Sequence, residues 1–453
     1  MISVNPLDGT VVAAYDRTTP ADIVAHIETA AERQRDWMRT DLVVRSNHMH
    51  RLAEVLESRR QELAELMAVE MGKPVREGRG EVDKCALACR YYADSAAGFL
   101  EDTPIETHRA KSYISYRPIG VVLAVMPWNF PLWQAIRFAA PALMAGNAGI
   151  LKHASNVSGC AIAIDEMVVA AGFPDGLFRT VIVPSSGVGE MIDHPLIRGV
   201  TVTGSDAAGR AVASRAGARL KKTVLELGGS DPYLVLADAD VDRAAETCAA
   251  SRLINGGQSC IAAKRFIVHT AIAEEFTHKL AVSMARRVVG DPLDDATEIG
   301  PMARVDLRDE LHDLVRRSTE LGATVTSGGR IEPGKGAFYP PTVLAGVQPH
   351  MPVFREETFG PVAAVTTVAS DAEAIRMAND SVFGLGAAVF TRDVERGEQI
   401  ARDELEAGSC FVNAFVASDP RLPFGGIKDS GYGRELSSLG MHEFLNLKTV
   451  VVD

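Results

Sequence analysis

The sequence predicts an α/β protein built on parallel sheets covered by helices. Between residues 121 and 227, short β-rich runs alternate with helical stretches, the pattern a helix-covered parallel sheet produces. A second region of the same kind runs from about 232 to 415. The chain has 453 residues, 47% of them hydrophobic and 23% charged. At about 150 residues per domain that length suggests two or three domains. So much apolar material can bury a core without disulfides or metal.

In chain order, Leu52, Val55, Leu56, Leu63, Leu66 and Met67 stand at helical spacing in residues 50–71. Gly72 and Pro74 then stop the helix. Strands are predicted at 121–126, 149–152, 180–183, 200–203 and 223–226, with helices near 131–144, 157–171 and 206–217 between them. The second region has strands near 233–236, 265–268, 387–390 and 410–413. The last run, 448–452, is β-branched, and an unpaired edge there would aggregate unless another subunit or domain covered it. No 20–50-residue repeat and no low-complexity tract interrupts this plan.

Composition excludes several classes. The net charge of −12 is the wrong sign for a nucleic-acid binder. Apolar stretches such as 121–128 are too short to span a membrane. The start, Met1 to Pro6, has no basic residue ahead of an apolar run, so no signal peptide is expected. Six cysteines in so long a chain do not form a disulfide framework, and a reducing cytoplasm is the expected setting. Cys85 and Cys89 sit four apart, but no second pair completes a metal site. They read as small buried residues, and no metal is expected. There is no G-x-x-x-x-G-K-[ST], no H-E-x-x-H and no G-x-G-x-x-G after a strand. A dinucleotide can still bind at the C-terminal ends of parallel strands. Thr203-Gly204-Ser205 ends one strand and opens a helix. Ser205 there either helps hold a phosphate or simply caps the helix, and spacing does not choose between the two.

Cys260 differs from the other cysteines in its surroundings. It follows Asn255-Gly256-Gly257-Gln258-Ser259, where paired glycines permit a tight course that exposes the thiol. Glu226 ends a predicted strand, and Asn129 sits in the two-proline turn Pro127–Pro131 that ends another. A thiol, a carboxylate and an amide donor brought together would make a nucleophile, a base and an oxyanion stabiliser.

Those segments, with Leu225-Glu226-Leu227-Gly228-Gly229, Glu357-Thr358-Phe359-Gly360-Pro361 and Leu422-Pro423-Phe424-Gly425-Gly426, together resemble the aldehyde dehydrogenase superfamily, in order along nearly the whole chain. Residues 151–156 and 259–265 are similar to the bacterial NADP-dependent succinate-semialdehyde dehydrogenases. The resemblance implies a Rossmann-type cofactor domain (1–103 and 120–228), an α/β catalytic domain (229–435) and a small β oligomerisation element (104–119 and 436–453). It also implies a homodimer or homotetramer. Cys260 would attack the aldehyde, Asn129 and the Cys260 N–H would hold the oxyanion, and Glu226 would activate the hydrolytic water. Trp128, Lys152, Ser155, Gly204, Ser205, Leu227, Glu357 and Phe359 match cofactor-contacting positions, with Glu357 on the nicotinamide ribose and Phe359 near the nicotinamide.

Many NAD-preferring relatives carry a glutamate where this chain has Ser155. A serine removes that repulsion of a 2′-phosphate, and Lys152 adds a positive charge nearby, so NADP is expected over NAD. Cys260 is followed by Ile261 and Ala262, so no adjacent cysteine is available to form a protective disulfide with it. Trp133 and Arg137 are four apart and share a helix face just after Asn129. That face is expected to line the passage to Cys260. Arg137 would pair with the far carboxylate of a short semialdehyde, or else form a structural salt bridge, while Ser418 would add a hydroxyl. The expected activity is oxidation of succinate semialdehyde to succinate. The alternatives are a broader aliphatic aldehyde dehydrogenase and a non-catalytic protein of the same fold.

Overall fold

The computed structural model describes residues 1–331, 333, 334 and 336–453. Its first sheet has the strand order Gly431–Tyr432, Lys222–Glu226, Ile197–Thr203, Val121–Met126, Ala148–His153, Phe178–Val181. All pairings are parallel except that of Gly431–Tyr432. Ala148–His153 is buried at every residue, as expected of a strand covered on both faces. The second sheet runs Thr324–Ser327, Thr342–Ala345, Val362–Val368, Arg265–His269, Pro232–Val235, Gly386–Phe390, Ser409–Val412. Here only Thr324–Ser327 is antiparallel to its neighbour. Each predicted strand is present, with ends displaced by at most three residues.

The helix expected over 50–71 is two helices, Leu42–Ser58 and Arg60–Met71. Arg59 leaves the helical region at φ −99° and ψ 13°, and its guanidinium reaches across to Glu62 and Glu166. Apolar spacing carries straight through such a break, because both helices bury the same side. The long helix Val75–Leu100 follows and buries Cys85 and Cys89 as packing residues.

A third sheet pairs Leu445–Val452 with Lys111–Pro118 in antiparallel register from Leu445↔Pro118 to Val452↔Lys111. Thr103–Pro104 pairs with the opposite side of Lys111–Pro118. Leu445–Val452 is therefore an edge strand, and it exposes Leu447, Val451 and Val452. Among the described residues, no helix is long and apolar enough to cross a membrane.

The parallel registers Met126↔His153 and Thr203↔Glu226 align the strand ends of the first sheet along one edge. The segments holding Trp128 and Asn129, Lys152 and Ser155, Gly204 and Ser205, and Glu226 and Leu227 all emerge there. This is where open α/β sheets take ligands.

Candidate active site

Cys260 ends a loop whose backbone is bent at Asn255, Gly256 and Gly257, all at positive φ. Gly257 is required twice over, because its φ is +78° and an added Cβ would lie 2.3 Å from the Gly360 carbonyl. Buried side chains fasten the loop. Arg252 donates to Gly257 O at 2.6 Å, and the Lys264 ammonium donates to the carbonyls of Ser259 (3.0 Å), Cys260 (2.7 Å) and Ala262 (3.3 Å). Gly229 lets the neighbouring segment approach, since a Cβ there would meet Cys260 O at 2.6 Å. Burial pushes the Cys260 thiol up to about 12, opposed by the nearby charges of Lys264 and Arg137. Among the described residues, no acceptor takes the Cys260 N–H.

Asn129 is buried and its amide is oriented. Its Nδ2 donates to Gln258 O at 3.0 Å and its Oδ1 accepts from Gln134 Nε2 at 3.0 Å. One Nδ2 hydrogen remains for a further acceptor. The turn holding Asn129 is tied down as well. His153 bonds Pro131 O at 2.8 Å through Nε2 and accepts the Ala154 N–H at Nδ1. Burial pulls His153 down to about 4, so its ring is neutral. The buried helix Trp133–Met144 then begins on a cap from another helix: Glu81 Oε1 accepts the N–H groups of Leu132 and Trp133, both at 2.9 Å. Glu81 in turn pairs with buried Lys73, whose ammonium lies over the Phe130 ring.

Glu226 is 2% exposed at the end of its strand, and neither carboxylate oxygen has a hydrogen-bond partner among the described residues. Burial raises its pKa well above the ordinary carboxylate range, and Glu435 raises it further. Its carboxyl lies against Gly425, and Glu226 is not among the residues lining the cavity at Cys260.

Two hollows flank this centre. A cleft of about 950 Å³ is lined in part by Ser205, Gly228, Glu357 and Phe359. Trp128 meets Phe359 edge to face, with ring centroids 5.7 Å apart. Glu357 accepts the Gly229 N–H at 3.0 Å and stands 3.5 Å from the Lys264 ammonium, which opposes the raising of its pKa by burial. Ser205 does cap its helix, accepting the Ala208 N–H at 3.3 Å, yet it also lines the cleft. A Cβ on Gly204 would make only ordinary contact, with the Ala208 Cβ at 3.9 Å. Leu227, by contrast, is buried against Gly209 of that helix and does not line the cleft. Two strands along the sheet, Ser155 is exposed and Lys152 is buried, with its pKa lowered by burial and no acidic partner among the described residues.

The second hollow, of about 350 Å³, brings together Cys260, Trp133, Arg137 and Ser418. Arg137 is not a free cation there. It forms a buried ion pair with Glu435, donates to Thr203 Oγ1 at 3.3 Å and lies over the Phe424 ring. The salt-bridge reading of this residue therefore holds, even though it lines the cavity. Sequence reasoning missed Lys84, Glu77 and Glu81 on the same wall. Their only sequence signal is the i, i+4 and i+7 placement on the helix Val75–Leu100. It missed Arg252 and Glu435 too, which carry no motif, and Lys264, which lies inside the 259–265 motif without a role assigned to it.

A doubly wound sheet with polar groups at its C-terminal edge, beside an oriented amide and a cysteine that lines a cavity, is the arrangement of a nucleotide-dependent oxidoreductase. The chain belongs to the aldehyde dehydrogenase family, whose model matches residues 1–450. It is 47% identical to a succinate semialdehyde dehydrogenase [NAD(P)+] of Escherichia coli (strain K12), over 100% of this chain and 98% of that one. It is 46% identical to a probable succinate-semialdehyde dehydrogenase [NADP(+)] of Synechocystis, over 99% of this chain and 98% of the relative. The solved structure of succinic semialdehyde dehydrogenase from Streptococcus pyogenes in complex with NADP+ superposes with a TM-score of 0.97. It is 37% identical and covers 100% of this chain and 99% of its own.

Proposed function

We propose that this enzyme oxidises succinate semialdehyde to succinate with NADP+. The observation that carries the reading is the bond from oriented Asn129 to Gln258 O in the Cys260 loop, with a cation-bearing cavity at the thiol and a buried Lys152 at the sheet edge that has no acidic partner among the described residues. The Cys260 thiol loses its proton to water, and the thiolate adds to the aldehyde carbon. The free Nδ2 hydrogen of Asn129 and the unengaged Cys260 N–H then hold the oxyanion. NADP+, when bound, supplies the acceptor for the hydride that leaves the adduct, and Cys260 is left as a thioester. Glu226 turns its carboxyl from Gly425 toward the thioester and takes the proton of the attacking water. Burial and the neighbouring Glu435 raise its proton affinity, which strengthens it as a base.

The sheet edge fits an anionic cofactor. Buried Lys152 without an acidic partner and exposed Ser155 form a site for a 2′-phosphate. Gly204, Ser205, Glu357 and Phe359 hold the remainder of the cofactor, and Trp128 supports Phe359. In this assignment the first sheet, apart from its edge strand Gly431–Tyr432, belongs to the cofactor domain, and the second sheet belongs to the catalytic domain. The exposed edge of Leu445–Val452 meets another subunit in a homodimer or homotetramer, and the enzyme works in the cytoplasm. Steady-state kinetics with succinate semialdehyde and butanal, each with NADP+ and NAD+, tests the reading. It expects the highest kcat/KM for succinate semialdehyde with NADP+. Equal values for the two aldehydes would leave a general aliphatic aldehyde dehydrogenase.

A further inference from the structure

Lys84 lines the same cavity as the expected basic residue, Arg137. Its ammonium donates to Ser418 Oγ at 2.7 Å and lies 4.5 Å from the centre of the Trp133 ring, on its face. Both neighbours line the thiol cavity, as Lys84 itself does. The acids around it are engaged elsewhere. Glu81 pairs with Lys73, Asp419 with Arg421 at 2.6 Å, and Glu435 with Arg137. Glu77 accepts the Asn255 N–H at 2.8 Å and is pushed up to about 7 by burial. Among the described residues, no carboxylate lies within ion-pair reach of the Lys84 ammonium, so the cavity contains a cation that lacks a counter-charge. An ammonium has three donors, and Ser418 takes one. With an Oγ lone pair occupied by Lys84, Ser418 has its own O–H free to donate into the same space.

We propose that Lys84, steadied by Trp133 and acting with Ser418, binds the distal carboxylate of the substrate and sets the preference for a semialdehyde acid over a neutral aldehyde. Arg137, neutralised by Glu435, contributes shape and background field. This inference rests on the reading of the substrate as a carboxylate-bearing aldehyde. Burial, with Arg137 nearby, lowers Lys84 to about 8, while Cys85, Glu81 and Asp419 oppose the shift. A bound carboxylate would supply the missing partner and raise it again.

The test compares kcat/KM for succinate semialdehyde and butanal, both with NADP+, in wild type, Lys84→Met and Lys84→Arg. The expected result is that the semialdehyde-to-butanal ratio falls at least about tenfold in Lys84→Met, through KM for the semialdehyde, and recovers largely in Lys84→Arg. A wild-type ratio near one would remove the carboxylate substrate itself, and with it the proposed function. A wild-type preference that survives intact in Lys84→Met would overturn the role of Lys84 alone. If Lys84→Met fails to fold, the wild-type enzyme decides through inhibition by succinate, competitive with aldehyde, between pH 8 and 9.5. That range lies above the Glu77 step and below the Cys260 thiol, pushed up to about 12. The inhibition constant is expected to rise roughly tenfold as Lys84 loses its proton, and a flat profile would overturn the proposal.

Discussion

Replacing Lys152 with Met separates cofactor choice from stability, because the two effects have opposite signs. In the free protein the Lys152 side chain is buried at 6% exposure without an acidic partner among the described residues, and burial lowers its pKa. The charged form is therefore disfavoured in the fold, and stability rises as pH climbs through the folded pKa toward the unfolded one. Lys152→Met removes that cost. The cofactor-free variant should melt above wild type at pH 7, and the gap should shrink near pH 10. With cofactor the sign reverses. A charged hydrogen bond to the 2′-phosphate is worth about 1.5–3 kcal/mol, or roughly ten- to a hundredfold in affinity. Titration calorimetry should show that loss for NADP+ and little change for NAD+, which lacks the phosphate. Equal losses for both cofactors, or unchanged NADP+ binding, would refute the assignment of Lys152 to the 2′-phosphate.

Other predictions follow from the buried charges. With the thiol pushed up to about 12 by burial, alkylation of Cys260 by iodoacetamide in the cofactor-free enzyme should accelerate by about tenfold per pH unit from pH 7 to 9. A plateau below pH 9 would show a thiol already ionised there. Lys264→Met strands the carbonyls of Ser259, Cys260 and Ala262, each at a cost of about 1–3 kcal/mol. A lower urea midpoint with a matching loss of turnover is expected, and an unchanged midpoint counts against the fastening role. Glu81→Gln keeps an oxygen for the helix cap but leaves Lys73 buried without its counter-charge. A destabilisation of about 3–5 kcal/mol in urea unfolding should result, and a change below about 1 kcal/mol would mean that Lys73 finds another partner.

The parallel sheets were legible because strands buried on both faces read as continuous apolar runs, as in Val121–Met126 and Ala148–His153. The break at Arg59 was hidden, because apolar periodicity continues across it. Cys260, Asn129 and Glu226 stood out through the glycines, prolines and strand ends around them. Lys84, Glu81 and Lys73 did not, since a charged residue on an amphipathic helix looks the same whether it faces water or a cavity. Arg137 shows the same limit from the other side. Its helix face was correctly placed, but the partner that neutralises it, Glu435, lies about 300 residues away in sequence, a distance that local patterning does not bridge.

The central claim is that Cys260 carries the acyl group and Glu226 releases it. Mass spectrometry of Glu226→Gln mixed with succinate semialdehyde and NADP+ tests it directly. The account expects one equivalent of NADPH formed in a burst and an adduct of about 100 Da, the mass of a succinyl thioester, localised to Cys260. Full turnover without an accumulated adduct, or acylation at any other residue, would contradict it.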